Sequence, residues 1–278
     1  MDTTIAEALV ISALESIDAR VLLRHVLGVD DVWLVAHSRD QLTTEQIEKF
    51  AAVVVRRRAG EPVAYITGTR EFFGLEFNVS PAVLIPRPET ELLVEWALER
   101  ITLGANVRVL DLGTGSGCVA ISIARERPHA LVVALDNSVA ALEVARTNAR
   151  RHEVGNLKVG KSDWYSVVTS ERFNVIVANP PYIAADDAHL SEGDLRFEPA
   201  AALASGKDGL DAIRLIVGSA PQYLNHGGWI AFEHGYDQAE RCRQLLQDAG
   251  FAQVFSRRDL AGIERISGGC LDAHRRKS

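Results

Sequence analysis

The stretch VIVANPPYIA combines residue types that could orient a planar NH2 group for reaction. An apolar run at residues 175–178 reads as a buried strand, and it ends in Asn179, Pro180, Pro181 and Tyr182. An NH2 group of this kind presents two N–H donors. The Asn179 side-chain oxygen and the Pro180 carbonyl can accept both hydrogen bonds, and Tyr182 can pack its ring on the planar group. Because prolines have no N–H to compete, the pattern favours a site that positions an amide or a base amine.

Two other interpretations of this stretch stay open from the residues alone. It could be a proline-rich strand exit with a capping asparagine, which would carry no chemistry. In an enzyme, a general base such as Glu198 or Glu233 could instead remove a proton from the reacting nitrogen. We favour the positioning interpretation. Holding the nitrogen in the right orientation, with polar groups already directed at the charge that develops on it, is enough to accelerate the reaction.

A glycine-rich segment, DLGTGSG, lies upstream between an apolar run and a predicted helix. In such a turn the backbone can approach a ligand closely, with helix N–H groups facing it. The next predicted strand ends in Asp136, whose carboxylate can accept both hydroxyls of a ribose. The candidate cofactor-binding residues of the turn are Gly113, Thr114, Gly115, Ser116 and Gly117.

Three nucleotide cofactors compete for this arrangement. A P-loop is excluded because no GK[ST] sequence follows the glycines. A dinucleotide fingerprint would need glycine or a close substitute where Cys118 stands. Asp111, just before the glycines, would oppose a pyrophosphate, whereas it could help to hold a cationic aminoacyl end. The acids at Asp111 and Asp136 therefore favour S-adenosylmethionine.

A third element follows the third predicted strand, where an adenine would lie. Asp163 could accept from the exocyclic amine of the base, and Trp164 could stack on its ring. Taken alone, the SDW triplet at residues 162–164 would be interpreted as a surface turn. After the glycine-rich turn and Asp136, it predicts adenine contacts.

Alternating strands and helices would bring these residues together. Strands separated by helices imply a parallel sheet that is covered on both faces, and ligands bind at the carboxyl edge of such sheets. Residues 186–207 lack clear periodicity and follow NPPY, where a loop covering the site would lie. The predicted strands are residues 107–110, 131–135, 157–159, 173–178 and 229–232.

The residues before the alternating strands and helices are predicted to be mainly helical. Residues 1–64 read as a helical domain, in which residues 19–27 form a helix ending at Gly28 and residues 43–46 fit a capping box. The arginines at 56–58 are consistent with favourable charge at a helix C-terminus or with a partner-binding patch.

A linker and the start of the larger domain follow. Residues 65–84 are predicted to form a β-hairpin linker, because residues 72–79 have period-two stretches around a glycine. A helix then begins near Pro88, and the remaining domain is predicted to span residues 85–278.

Composition narrows the class of protein. A net charge of −7 argues against a general nucleic-acid coat or an anionic-membrane binder. Three widely spaced cysteines indicate a reducing compartment rather than a disulfide framework. The histidine spacing gives little support for a metal site, and the acidic N-terminus is unlike a signal peptide. We therefore expect a cytoplasmic protein that binds no metal or membrane and makes no direct contact with nucleic acid. We also expect the protein to be a monomer.

Several motifs together resemble a known family. DLGTGSG, the acid after the second strand, SDW and NPPY are similar to amino-methyltransferases that use S-adenosylmethionine. EPVAYITG, REFFGL, LIPRPETE, NPPYI and RFEP more narrowly resemble the peptide-chain release factor glutamine N5-methyltransferases, from about residue 15 onward. NPPY alone is shared with nucleic-acid adenine methyltransferases.

The resemblance implies both a fold and an activity. The fold would be α/β, with a seven-stranded, mostly parallel Rossmann-like sheet, a small N-terminal helical domain for substrate recognition and a hairpin linker. The substrate would be the side-chain amide of the glutamine in the Gly-Gly-Gln motif of class I release factors. The match assigns cofactor contacts to the residues of the glycine-rich turn and to Asp136, Trp164 and Asn179. It assigns substrate contacts to Asn179, Pro180, Pro181 and Tyr182, and catalysis to Asn179, Pro180 and Tyr182.

Two rival functions belong to different classes. A nucleic-acid adenine methyltransferase would share the site but should carry a basic groove and a target-recognition domain. A non-catalytic cofactor-binding module would not need an intact NPPY.

Overall fold

The computed structural model describes residues 3–272, and contacts between residues divide the chain into two compact units. The first unit holds the residues up to Thr69 and a distant segment, Glu192–Phe197. The second unit holds Arg70–Ser191 and the residues from Glu198 onward. Residues 1–2 of the predicted helical domain and 273–278 of the predicted larger domain lie outside the described range. No helix within that range is long and apolar enough to span a membrane.

The first unit is helical, as predicted. Helix α4 (Thr44–Arg58) begins with the predicted capping box. In this box the Gln46 N–H donates to Thr43 Oγ1 at 3.2 Å and the Thr43 N–H donates to Gln46 Oε1 at 2.8 Å. Helix α2 ends at Gly28, whose φ of 67° suits glycine. The helices are α1 (Ile5–Ile11), α2 (Ser16–Leu27), α3 (Asp31–Ala36), α4 (Thr44–Arg58) and α5 (Val63–Thr67).

The apolar faces of these helices share one core. Burial of a large aliphatic or aromatic side chain contributes roughly 1.5–3 kcal/mol, so packing outweighs the weak intrinsic preference of such short helices. The buried side chains include Ile5, Leu22, Leu23, Leu34, Phe50, Val54 and Ile66.

The three consecutive arginines near the end of α4 all have partners inside the first unit. Arg56 pairs with a carboxylate five residues further on, and Arg58 donates to a backbone carbonyl. Arg57 pairs with Asp18 at 2.6 Å and with Asp194 of the distant segment at 3.1 Å. These contacts hold neighbouring segments of the first unit together. Neither interpretation from the sequence, favourable charge at a helix C-terminus or a partner-binding patch, predicted this role.

The predicted β-hairpin is present and consists of β1 (Thr69–Phe72) and β2 (Leu75–Asn78). Its turn residues, Phe73 and Gly74, have φ values of 53° and 70°, as a tight hairpin turn requires. The helical region extends slightly further than the sequence indicated, because α5 continues past residue 65.

The second unit contains a seven-stranded sheet in the order β5-β4-β3-β6-β7-β9-β8. Neighbours from β5 through β7 are parallel, whereas β9 is antiparallel to both β7 and β8. The first five strands confirm those predicted from the sequence. The strands are β3 (Arg108–Leu112), β4 (Leu131–Asp136), β5 (Leu157–Lys161), β6 (Phe173–Ala178), β7 (Leu224–Glu233), β8 (Phe251–Arg258) and β9 (Glu264–Leu271).

Helices cover both faces of this sheet. One core contains Trp96 and Ile121, and the other contains Ile216 and Leu246. The helix predicted near Pro88 begins with a 3-10 turn, Pro88–Thr90, before α6. The helices are α6 (Glu91–Arg100), α7 (Cys118–Glu126), α8 (Val139–Arg151), α9 (Asp211–Ser219) and α10 (Ala239–Asp248).

The segment after NPPY forms a loop that closes on itself. The Ser205 N–H donates to the Ile183 carbonyl at 2.8 Å, and the Ala185 N–H donates to the Gly206 carbonyl at 2.8 Å. Between these ends lie three short 3-10 turns, Ala188–Ser191, Gly193–Phe197 and Ala200–Ala202. This matches the predicted absence of longer regular structure.

Candidate active site

A cavity of about 380 Å³ opens at the carboxyl ends of β3, β4 and β6 in the second unit. The strand order reverses between β3 and β6, and open α/β sheets bind ligands where that happens. Among the predicted site residues, those that line the cavity are Gly113, Thr114, Gly115, Ser116, Asp136, Trp164, Asn179 and Pro181.

The glycine-rich turn follows β3 directly. The N–H groups of Gly113 and Thr114 both donate to the Leu135 carbonyl, at 2.8 and 2.9 Å. Gly113 has a φ of 72°, a conformation that L side chains rarely adopt. Gly117 is not part of the cavity wall. Its φ is 84°, and an added Cβ would lie 2.9 Å from the Ile121 side chain, so it serves the packing of α7.

Asp136 connects the end of β4 to this turn. Its Oδ2 accepts from the Gly115 N–H at 2.9 Å, and its Oδ1 accepts from the Ser138 N–H at 2.8 Å. These bonds fix the orientation of the carboxylate. Each oxygen retains acceptor capacity, so Asp136 can still receive ligand hydroxyls.

Asp111 lies at the floor of the cavity and is 2% exposed. Thr114 donates its hydroxyl to Asp111 Oδ2 at 2.6 Å. Burial raises the pKa of Asp111 to about 7, and the Asp136 carboxylate acts in the same direction. A cation bound near Asp111 would lower this pKa again.

The SDW residues form another part of the wall. Trp164 has a φ of 46°, and Ser162 Oγ donates to the Trp164 carbonyl at 2.7 Å. A Cβ built on Gly113 would lie 3.7 Å from the Trp164 ring. The turn and the indole therefore lie side by side in the cavity wall.

The residues of the cavity fit the S-adenosylmethionine predicted from the sequence. Asp111 offers a carboxylate for a cationic aminoacyl group, and Asp136 offers acceptors for ribose hydroxyls. Asp163 and Trp164 offer an acceptor and a ring surface for a base. A cavity of about 380 Å³ also lies within the range of ligand sites.

Asn179 extends from the end of β6 into the cavity wall. Its Nδ2 donates to Thr90 Oγ1 at 3.1 Å. Its Oδ1 is buried and has no hydrogen-bond partner among the described residues. An unsatisfied buried acceptor costs about 1–3 kcal/mol, so this oxygen is suited to accept from a bound ligand.

The other NPPY residues lie around Asn179 in different ways. Pro181 lines the cavity, whereas Pro180 and Tyr182 are not among its lining residues. Tyr182 donates its hydroxyl to Glu233 Oε1 at 3.0 Å, and its ring packs against the core beside α9 and α10. Burial raises the pKa of the Tyr182 hydroxyl, with the Glu233 carboxylate acting in the same direction.

The backbone at Tyr182 is held tightly. Gln238 Nε2 donates to the Tyr182 carbonyl at 2.9 Å. Gly209 has a φ of 75°, and an added Cβ there would lie 2.1 Å from the same carbonyl oxygen. These contacts fix the end of the NPPY segment.

Glu233, at the end of β7, is almost completely buried, with 2% exposure. Its Oε2 accepts from the Thr90 hydroxyl at 2.6 Å, in addition to the Tyr182 hydroxyl on Oε1. Burial raises the pKa of Glu233, while the two hydroxyl groups act against that rise. Both carboxylate oxygens are thus engaged by protein hydroxyls, and Glu233 is not among the cavity-lining residues.

Glu198, the other candidate base, is also engaged by the protein. The Ile85 N–H donates to its Oε2 at 3.1 Å, and Arg87 donates to its Oε1. Arg87 lines the cavity. The pair joins the LIPRPETE and RFEP segments, so Glu198 acts as a structural partner of Arg87.

Thr90 is the site residue that sequence reasoning missed. It lies inside LIPRPETE and contacts both Asn179 and Glu233. The motif marked the segment, but only the fold shows that its threonine reaches the end of β6.

Comparison with protein families gives two matches along the chain. The family model described as PrmC N-terminal domain matches residues 6–68, and the model described as Methyltransferase small domain matches residues 88–206. A release factor glutamine methyltransferase of Burkholderia pseudomallei is 55% identical over 274 residues, which cover 96% of each chain. The chain belongs to the release factor glutamine methyltransferase family. A second member, from Bordetella pertussis, is 50% identical and covers 97% of this chain and 100% of the relative.

A solved structure supports the fold of this family member. A methyltransferase from Pyrococcus furiosus superimposes with a TM-score of 0.55 at 20% identity, covering 80% of this chain and 99% of that one. The likeness confirms the methyltransferase fold that the family resemblance implied.

Proposed function

We propose that this protein transfers a methyl group from S-adenosylmethionine to the side-chain amide nitrogen of the glutamine in the Gly-Gly-Gln motif of class I release factors. The names of the relatives support the substrate, since they are release factor glutamine methyltransferases. One observation at the site carries the chemistry: Asn179 presents a buried acceptor without a partner at the cavity wall.

The cofactor would be held by groups that are already oriented. When bound, S-adenosylmethionine would supply a methyl group from its sulfonium and leave as the thioether S-adenosylhomocysteine, and the proton lost from the methylated amide nitrogen would pass to water. The carboxylate of Asp136, fixed by two backbone N–H groups, is suited to the ribose. Trp164 is suited to the base, and Asp111 is suited to the cationic end of the cofactor.

The chain's contribution to the reaction is orientation of the glutamine amide. Asn179 Oδ1 accepts one N–H of the substrate, and the Pro180 carbonyl accepts the other. Two fixed acceptors turn the nitrogen toward the methyl donor, and they stabilise the positive charge that develops on it. Glu198 and Glu233 are not needed as bases, because their oxygens are engaged by protein groups.

The remaining assignments complete this proposal. The helical N-terminal domain, predicted at residues 1–64 and joined by the linker at 65–84, would recognise the release factor. The enzyme would act as a monomer in the cytoplasm, where its three cysteines, which are free and buried, remain reduced. Neither nucleic acid nor membrane is required as a partner.

Mass spectrometry of a class I release factor incubated with this protein and S-adenosylmethionine tests the proposal. We expect one methyl group on the glutamine of the Gly-Gly-Gln peptide. A release factor with glutamate in place of that glutamine is the matched control, because it lacks the NH2 group and should stay unmodified. Methylation elsewhere on the release factor, or none on the glutamine, would refute the proposal.

A further inference from the structure

One chain of hydrogen bonds runs from the cavity wall, where Thr90 and Asn179 lie, to two residues outside that wall, Glu233 and Tyr182. Asn179 Nδ2 donates to Thr90 Oγ1 at 3.1 Å, and Thr90 Oγ1 donates to Glu233 Oε2 at 2.6 Å. Glu233 Oε1 accepts from the Tyr182 hydroxyl at 3.0 Å. Thr90 and Glu233 are 1% and 2% exposed, so solvent does not replace these bonds.

The proton count along this chain fixes how the Asn179 amide must lie. A threonine hydroxyl has a single proton to donate, and here that proton is directed to the Glu233 carboxylate. The lone pairs of Thr90 Oγ1 are left to face Asn179, and they require a donor. The NH2 end of the amide supplies one, whereas a flipped amide would place two acceptor oxygens against each other.

This orientation also fixes the position of the Asn179 side-chain oxygen. With Nδ2 directed to Thr90, Oδ1 is the atom left unpartnered beside the cavity. A flipped side chain would instead present an NH2 group toward the substrate amide, donor against donor. Orientation of this one side chain therefore decides whether the site can hold the glutamine.

We propose that Thr90 and Glu233 are positioning residues that lock Asn179 with its oxygen toward the substrate amide. This inference rests on the proposed function and adds a cause for the orientation on which that function depends. Glu233 acts through Thr90 and Tyr182. Thr90 lines the cavity itself, and in this proposal its contribution is made through its hydrogen bond with Asn179. The two hydrogen bonds that Glu233 accepts require its ionised form, which accepts from both hydroxyls without donating to either.

Thr90→Val and Thr90→Ser separate the hydroxyl from the shape of the side chain. Valine keeps the volume but removes the hydroxyl, and serine keeps the hydroxyl. In single-turnover methylation of a release factor, we expect Thr90→Val to lower the rate at saturating substrate by roughly tenfold or more, as misorientation at a reacting centre does. Thr90→Ser should retain most of the rate. Thr147→Val, at an exposed position on α8, is the matched control and should equal the wild type.

A double-mutant cycle tests whether Glu233 acts through Thr90. Glu233→Gln places an NH2 group beside one hydroxyl, which can turn the Thr90 proton toward Asn179 and favour the flipped amide. If the two residues form one unit, the double variant should be no slower than the slower single variant. Rates that multiply independently would overturn the inference. A Thr90→Val rate equal to that of the wild type would also overturn the inference.

A readout without substrate keeps this inference distinct from the proposed function. In protein labelled with 15N-asparagine, the Asn179 side-chain NH2 signal can be assigned by its loss in Asn179→Ala. We expect slow solvent exchange of that NH2 group in the wild type and in Thr90→Ser, and faster exchange in Thr90→Val. Equal exchange in all three overturns the orientation. Failure of the wild type to methylate release factors, with the exchange pattern intact, would refute only the proposed function.

Discussion

Asn179 concentrates the chemistry of this site in one side chain. Asn179→Ala removes one of the two acceptors for the substrate amide and should lower the turnover by on the order of a hundredfold or more. Asn179→Asp keeps an acceptor of nearly the same size, so it should retain more activity than alanine. Single-turnover rates at saturating cofactor and substrate measure this. A near-normal rate for Asn179→Ala would rule out positioning by this residue.

Asp136 tests the cofactor side of the cavity. Asp136→Ala should weaken S-adenosylmethionine binding by about 1–3 kcal/mol, because it removes charged hydrogen bonds to the ribose. Asp136→Asn is the closer comparison, since it keeps one acceptor oxygen for the Gly115 or Ser138 N–H group, and it should lose less. Calorimetry of folded variants provides the measurement. Unchanged affinity in Asp136→Ala would place the ribose elsewhere.

Asp111 predicts a pH dependence of cofactor binding. Its pKa is raised to about 7 by burial, so much of the free protein carries a proton there at pH 6. A cationic ligand favours the carboxylate, so binding should release a proton, and affinity should rise between pH 6 and 8 by at most about tenfold per unit. Calorimetry in buffers of different ionisation enthalpy detects that proton. Asp111→Asn should show neither the release nor the rise, and a wild type without proton release would contradict the assignment.

Protonation of Asp111 also affects the stability of the folded chain, and this effect has the opposite pH dependence to cofactor binding. The folded chain binds the Asp111 proton more tightly than the unfolded chain, whose carboxyl titrates near 3.8. The contribution of Asp111 to stability is therefore full below about pH 4 and is lost as the pH rises toward 7.

At the scale of elements, the parallel strands were predictable and the antiparallel pair was not. Strands β3, β4 and β6 are short, mostly apolar runs that are buried on both faces and followed by polar or glycine residues, which is a strong pattern. Strands β8 and β9 lie at one side of the sheet. β9 contains Gly268 and Gly269, where an added Cβ would lie 2.3 Å from the Ile230 carbonyl and 2.9 Å from the Phe251 side chain. Because the backbone lies close to its neighbours at these two glycines, β9 lacks the alternation of apolar and polar residues that predicts a strand.

The hairpin and α8 are joined to the cofactor turn by one side chain that the sequence did not mark. Asn148 is fully buried. Its Oδ1 accepts from the Asn78 N–H at 2.7 Å, and its Nδ2 donates to the Asn78 carbonyl and to the Ser116 carbonyl at 3.0 and 2.9 Å. The residues involved are far apart in sequence, so only the fold shows their contact.

Asn148→Ala should therefore lower the free energy of unfolding strongly. It removes the partner of the buried Ser116 carbonyl and of two partly buried backbone groups of Asn78, and an unsatisfied buried group costs about 1–3 kcal/mol. Thr147→Ala, at the exposed neighbouring position on the same helix, is the matched control and should change stability by less than about 0.5 kcal/mol. Urea denaturation of both variants provides the comparison. Equal midpoints would show that the Asn148 contacts do not stabilise the unit.

At the scale of the whole molecule, the sequence indicated two domains but not how the first is assembled. The helical unit includes Glu192–Phe197, which comes from the long loop after NPPY. Arg57 pairs with Asp194, and Arg196 donates to the Ala59 carbonyl at 3.0 Å. A pattern of local spacing cannot reveal a pairing between residues 137 positions apart, so the sequence predicted neither of these contacts between the end of α4 and the distant segment.

Removal of the residues before position 65 separates substrate recognition from cofactor binding. We expect the shortened protein to bind S-adenosylmethionine with an affinity close to that of the full chain, since the cavity is lined by residues of the second unit. Its activity on an intact release factor should fall by at least about a hundredfold, or ~2.7 kcal/mol of transition-state stabilisation. The full chain carrying Arg57→Ala is the control, because it removes the ion pair to Asp194 and keeps the helical unit. If the shortened protein methylates the release factor as well as the full chain does, the N-terminal helices do not recognise the substrate.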